Sequence, residues 1–277
     1  MWNVTQNGCR DGIMVYMKIA ILGAGAFGTA LGGVLADNGY DVDYYDPQIE
    51  CEKLSDVVDG AKCIVMCVPS TAAPHVLPHL PHNVPLIVAT KGILCDNIFD
   101  GFSDYMVLSG PGFAADIKMA KPTKLTATDD RIVELFGNEF LSFDRTSDRR
   151  GVLMCGALKN VYAILAGYLE LEPGTKAHEE FLTEVAEEMQ ALLSANGADP
   201  DTVNLVCGKG DLRLTCDYPS RNYTYGRKLR RESGCVPDNT VEGLSALKRI
   251  ERGEIKVPDE AKYLHKIMEV YKNGAKC

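Results

Sequence analysis

Short apolar runs separated by helical or turn-rich stretches organise residues 17–110 of the chain. Residues 17–22 form a compact apolar run that predicts a strand. Glycines follow, and then Ala30, Leu31, Val34 and Leu35 recur at helical spacing as far as Asn38-Gly39. Further strands are predicted at residues 42–45, ending at Asp46-Pro47, and at residues 63–68, ending at Pro69-Ser70. Two more are predicted at residues 86–89, before Thr90-Lys91-Gly92, and at residues 106–108, before Ser109-Gly110-Pro111. Runs this uniformly apolar fit a parallel sheet covered on both faces, and their alternation with helices predicts a doubly wound α/β domain.

Past about residue 146 the period changes. Residues 151–169 read as one long, mostly apolar helix. Residues 178–196 read as an amphipathic helix with Phe181, Leu182, Val185, Met189, Leu192 and Leu193 on one stripe, and Gly197 ends it. No strand is predicted beyond this point, so the second domain is expected to be all-helical. The expected division is 17–146 and 147–277, with residues 1–16 as an extension of no assigned role.

Composition narrows the function classes. The chain has 277 residues, enough for two cores, and a net charge of −9, which argues against nucleic-acid or anionic-membrane partners. A local cluster of Lys and Arg could still take an anionic substrate. Ten cysteines contain no Cys-x-x-Cys pair, and Cys63 and Cys67, the closest two, are spaced for one face of a strand. Cys63, Cys67, Cys155 and Cys207 lie in apolar runs, which suits reduced thiols in a reducing compartment. Residues 1–11 lack the apolar core of a signal peptide, and no run of about 18 apolar residues could span a membrane. A cytoplasmic protein is expected.

Gly23-Ala24-Gly25-Ala26-Phe27-Gly28 matches G-x-G-x-x-G between a predicted strand and a predicted helix. In that context Gly23 permits the tight turn, Gly25 lets backbone approach a pyrophosphate, and Gly28 lets helix pack on strand. The helix N-terminus, from Ala26, would face the phosphates. The expectation is a Rossmann domain binding a nicotinamide dinucleotide. Asp46, at the end of the second strand, either accepts hydrogen bonds from the adenosine ribose, favouring NAD over NADP, or forms an Asp-Pro turn.

Within the long apolar helix, Lys159 and Asn160 interrupt the apolar surface. One turn away from Lys159 stand Cys155, Gly156, Tyr162 and Ala163, so its ammonium has little polar company on its own helix. Two readings follow: a desolvated lysine able to exchange a proton near neutrality, or a snorkelling surface residue.

Six segments in order resemble the NAD(P)-dependent glycerol-3-phosphate dehydrogenase family. They are Ala89-Thr90-Lys91-Gly92, Leu108-Ser109-Gly110-Pro111-Gly112-Phe113-Ala114, Gly156-Ala157-Leu158-Lys159-Asn160, Gly210-Asp211-Leu212-Arg213-Leu214-Thr215-Cys216, Ser220-Arg221-Asn222 and Val241-Glu242-Gly243. The resemblance implies reversible hydride transfer between NADH and dihydroxyacetone phosphate, giving glycerol 3-phosphate for phospholipid synthesis. It implies Lys159 as general acid/base beside Asp211, with Lys91 and Thr215 lining the reacting carbonyl. It implies Ser220, Arg221 and Asn222 as a phosphate clamp, and Gly110, Gly112 and Asn160 as further substrate contacts. Phe27, Lys91, Ala114, Arg221 and Glu242 match positions near the cofactor, which is NAD, with NADP as the other candidate. A homodimer is compatible with this reading.

The chain departs from the family pattern in a short segment between Asp46 and Cys63, in Leu153 where a glutamate is usual, and in Lys209 beside Asp211. The portion after Gly243 is also short. His75, His79 and His82 alternate with Pro74, Pro78 and Pro81, and a surface loop is expected there rather than a metal site; no metal is expected elsewhere either. Two other functions remain open on sequence: a related dehydrogenase for another small hydroxy acid or phosphorylated alcohol, and a nicotinamide-sensing module without turnover.

Overall fold

The computed structural model describes residues 8–10, 13–15, 17–49, 53–217, 220–231 and 241–274. They fall into two compact units: 1–90, 97–108 and 112–147 make the first, and 91–96, 109–111 and 148–277 the second.

In the first unit, β1 (Gly8–Arg10) and β2 (Ile13–Val15) pair antiparallel as a separate two-stranded sheet. The main sheet contains β3 (Lys18–Leu22), β4 (Asp41–Tyr45), β5 (Cys63–Met66), β6 (Leu86–Val88), β7 (Tyr105–Ser109), β8 (Thr123–Ala127) and β9 (Leu141–Arg145). Its strand order is β4-β3-β5-β6-β7-β8-β9. The pairs β3/β4, β3/β5, β5/β6, β6/β7 and β8/β9 are parallel. Ile19 to Leu22 and Cys63 to Met66 are fully buried, as continuous apolar strands in a covered parallel sheet must be. The helices here are α1 (Ala26–Asp37), α2 (Leu54–Val58), α3 (Ala73–Val76), α4 (Ala114–Lys118) and α5 (Asp130–Phe136).

Four strands lie where none was expected: β1 and β2, within the stretch read as an extension, and β8 and β9. The run Thr-Lys-Leu-Thr-Ala of β8 mixes polar and apolar residues, and β9 is a half-exposed edge strand, so neither needs an unbroken apolar run. The His-Pro segment is not a plain loop. Pro74 sits in the first turn of α3 and a 3-10 turn follows over Leu77–His79, because proline is tolerated where the helix has no N–H to satisfy. His75, His79 and His82 are all exposed.

The second unit is helical: α6 (Arg149–Tyr168), α7 (Lys176–Ala195), α8 (Asp211–Asp217), α9 (Arg221–Arg231), α10 (Glu242–Glu251) and α11 (Lys262–Gly274). Side-chain caps set where the first two begin. Asp148 Oδ1 accepts from Gly151 N at 3.0 Å and starts α6 at Arg149. Thr175 Oγ1 accepts from His178 N at 3.3 Å and starts α7 at Lys176.

Every residue of α6 from Gly151 to Gly167 is buried, and α7, α8, α9, α10 and α11 all pack against it. A Cβ at Gly226 of α9 would lie 1.9 Å from the carbonyl oxygen of Ile164, so only glycine allows the two backbones to approach this closely. By length and composition α6 could cross a membrane, yet 94% of that window is buried inside the protein. It is a core helix.

Candidate active site

At the C-terminal ends of β3, β4 and β5 the sheet changes direction, since β3 is followed by β4 on one side and by β5 on the other. Such a switch point leaves a crevice outside the strand ends. Gly23 leaves β3 there with φ +99°, and a Cβ on it would press at 2.9 Å on the backbone of Cys67 and Val68. A Cβ on Gly28 would sit 2.0 Å from the Gly23 carbonyl oxygen, whereas one on Gly25 would meet nothing within 4 Å. Gly23 and Gly28 are thus required by packing. Gly25 is required by nothing the protein itself supplies, and beside it is an open cradle at the N-terminus of α1, where anions are favoured.

Ala26 opens α1, and Phe27, half-buried, packs on the sheet core. Asp46 follows β4. Its Oδ2 accepts from Ala24 N at 2.9 Å and its Oδ1 from Gln48 N at 3.0 Å. The carboxylate thus closes a turn and also braces the glycine loop. Ala24 was invisible to motif reasoning because its contribution is a backbone N–H. Gly112, tightly packed against Leu125, and Ala114, opening α4, complete the positions in the first unit.

The remaining candidate positions belong to the second unit. Lys159, on α6, is 3% exposed and forms an ion pair with Asp211, the first residue of α8, which is 1% exposed. A π-helical turn over Val206–Gly210 leads into α8 and sets where Asp211 begins it. Burial lowers the Lys159 pKa to about 8. The Asp211 carboxylate opposes that shift, and the neighbouring Lys91 ammonium reinforces it. Lys159 is therefore not a snorkelling residue.

Lys91 is half-buried, and Gly110 has φ +138°, which disfavours any side chain. Thr215 Oγ1 donates to the Asp211 carbonyl at 2.5 Å, one turn back on its own helix, leaving its lone pairs to accept from another group. Asn160 Nδ2 donates to the Gly156 carbonyl at 3.1 Å. Its Oδ1 accepts from Asn222 Nδ2 at 2.9 Å, and Asn222 Oδ1 accepts from Gly243 N at 3.0 Å. This buried amide relay ties α6, α9 and α10 together.

Ser220, Arg221 and Asn222 form the start of α9. Ser220 Oγ accepts from Tyr223 N at 3.2 Å, and Arg221 is exposed, with no hydrogen bond or ion pair among the described residues. Glu242 is half-buried as the first residue of α10. Among the described residues no three His, Cys, Asp or Glu side chains gather as a metal-binding group.

A switch-point glycine loop in one unit and a buried, pKa-lowered lysine paired with a carboxylate in the other define a dinucleotide-dependent oxidoreductase fold. The family model described as NAD-dependent glycerol-3-phosphate dehydrogenase C-terminus matches residues 148–277, running through the short portion after Gly243. The chain is 33% identical to the glycerol-3-phosphate dehydrogenase [NAD(P)+] of Leptospira biflexa, over 86% of this chain and 85% of that one. It is 31% identical to the enzyme of the same name from Citrifermentans bemidjiense, over 76% and 78%. The crystal structure of glycerol-3-phosphate dehydrogenase from Coxiella burnetii superposes with a TM-score of 0.74 at 25% identity, covering 94% of this chain and 97% of that one. The chain belongs to the NAD(P)-dependent glycerol-3-phosphate dehydrogenase family.

Proposed function

We propose that this protein interconverts dihydroxyacetone phosphate and sn-glycerol 3-phosphate with NADH as preferred cofactor. The observation that carries the reading is the buried Lys159–Asp211 pair beside Lys91. A ketone reduction needs a proton for the developing C2 alkoxide, and an ammonium with a pKa near 8 can both give and regain one at neutral pH. Asp211 fixes the direction of that ammonium. Lys91 adds positive charge where the carbonyl oxygen becomes negative. In the oxidation direction neutral Lys159 takes the proton from the C2 hydroxyl.

The open space at Gly25, the α1 N-terminus and the carboxylate of Asp46 at the end of β4 fit a dinucleotide pyrophosphate and its adenosine ribose. When bound, the nicotinamide ring supplies or accepts the hydride. The carboxylate of Asp46 would repel a 2′-phosphate, which is the basis for preferring NADH. Arg221 carries a planar fork of donors at the N-terminus of α9, and Ser220 and Asn222 flank it, which suits a phosphate dianion. A cytoplasmic setting fits Cys63, Cys67, Cys95, Cys155, Cys207 and Cys216, none of them in a disulfide; burial pushes the thiols of Cys63 and Cys67 up to about 12.

The test is NADH oxidation with dihydroxyacetone phosphate, run beside dihydroxyacetone and a panel of small 2-keto acids. Turnover confined to the phosphorylated ketone is expected. Turnover of a keto acid instead would reassign the substrate, and NADH binding without any turnover would make the protein a sensor.

A further inference from the structure

His178 has no part in the chemistry above, yet it is fully buried, and neither ring nitrogen finds a hydrogen-bond partner among the described residues. Leaving such polar atoms unpaired inside a protein is destabilising. Facing it is Asp217 Oδ1, an oxygen likewise buried and without a hydrogen-bond partner, 3.5 Å from His178 Nε2. That is about half an ångström beyond an ordinary hydrogen bond.

Asp217 is the last residue of α8, the two-turn helix that Asp211 begins. A carboxylate at a helix C-terminus faces the negative end of the macrodipole and needs cationic company to stay. Arg213 of α8 itself supplies it, with Nη1 3.6 Å from Asp217 Oδ2, and the imidazole of His178 on α7 stands on the other carboxylate oxygen, 3.5 Å away. Arg213 in turn grips Glu179, the residue after His178, with two hydrogen bonds of 2.8 and 2.5 Å. α8 is only seven residues long, so a displacement of its end is passed along its continuous backbone hydrogen bonds to its beginning.

We infer that His178 is a positioning residue: by holding Asp217 it fixes the far end of α8 and so keeps Asp211 on Lys159. The inference rests on the proposed reaction only where turnover is read, so the experiment carries a second readout. The pH dependence of acylation of Lys159 by a small amine-reactive reagent, mapped by mass spectrometry, reports the lysine's titration without any cofactor or substrate.

The variants are His178→Leu, His178→Gln, Asp217→Asn and the double variant His178→Leu/Asp217→Asn. Asp217 is 34% exposed, so its variant should fold even if a buried His178 variant does not. Loosening Asp211 removes the partner that raises the Lys159 pKa. The titration should therefore move to lower pH, by about half a unit, in His178→Leu and in Asp217→Asn. kcat should fall about tenfold, with the KM for NADH unchanged. The double variant should be no worse than the poorer single one, and His178→Gln, which keeps an N–H for Asp217, should recover much of the loss. Single variants that lower only the melting temperature, or losses that add in the double variant, would overturn the inference. A shifted titration in a protein that never turns over dihydroxyacetone phosphate would sink the reaction reading and leave this one standing.

Discussion

Asn222 donates from its amide to Asn160 Oδ1 at 2.9 Å while its own Oδ1 receives the backbone N–H of Gly243 at 3.0 Å. One side chain thus satisfies two buried polar groups on two different helices. Asn222→Ala strands both and should cost about 2–4 kcal/mol of stability. Asn222→Asp keeps the acceptor for Gly243 but sets oxygen against oxygen at Asn160, and should cost about half as much. Urea denaturation of the three proteins checks the order.

The two outer glycines and the middle one of the dinucleotide loop should separate cleanly. Gly28→Ala drives a methyl to within 2.0 Å of the Gly23 carbonyl oxygen and should destabilise the fold by about 1–3 kcal/mol. Gly25→Ala meets nothing of the protein within 4 Å, so its melting temperature should hold while NADH binding weakens about tenfold or more. Calorimetric melting and fluorescence titration with NADH decide between them.

The pH profile should follow Lys159, whose pKa lies near 8. Ketone reduction uses the ammonium form, so its rate should fall as pH rises through about 8. Alcohol oxidation uses the amine and should rise through the same range. Lys159→Met should leave NADH binding intact and lower kcat by about 10²–10⁴-fold. A variant retaining a large share of its turnover would remove this residue from the acid/base role.

Asp46 should make NADH the better cofactor by about tenfold or more in kcat/KM, through one charge-assisted hydrogen bond gained and one like charge avoided. Asp46→Ala should erase the preference. Because the same carboxylate braces Ala24 N, the variant's melting temperature needs to be recorded alongside.

Arg221 should decide substrate class. In a chain of net charge −9, affinity for a phosphate dianion must come from local cations. Arg221→Ala should lower kcat/KM for dihydroxyacetone phosphate at least about 30-fold and leave the poor activity on dihydroxyacetone unchanged. Equal losses on both ketones would move Arg221 to the cofactor or the fold.

Much of the architecture could be read directly from periodicity. The apolar runs at β3, β5, β6 and β7 and the long helix α6 are dictated by burial on all sides, which writes itself into composition. β9 escaped because an edge strand tolerates polar residues, and β8 because the polar residues of Thr-Lys-Leu-Thr-Ala hide a strand that is nonetheless mostly buried. At the site, the lack of polar neighbours around Lys159 on its own helix was legible. Its approach to Asp211 was not legible from the residues themselves, because it depends on how α8 lies across α6; only the family resemblance pointed to it. The Asn160–Asn222–Gly243 relay joins three distant stretches through amides whose hydrogen-bonding capacity has no sequence periodicity. The unpartnered ring of His178 is likewise invisible until α7 and α8 are seen side by side.

Helix α6 packs against every other helix of its unit and also carries the residue proposed to move the proton. Selection for folding and selection for turnover therefore act on the same stretch of chain. Substitutions that would retune the lysine by changing its immediate neighbours are also substitutions in a helix buried from Gly151 to Gly167. Attempts to breed new substrate preferences should meet lethality in α6 and find their freedom at the exposed start of α9, where Arg221 can change without disturbing the interior.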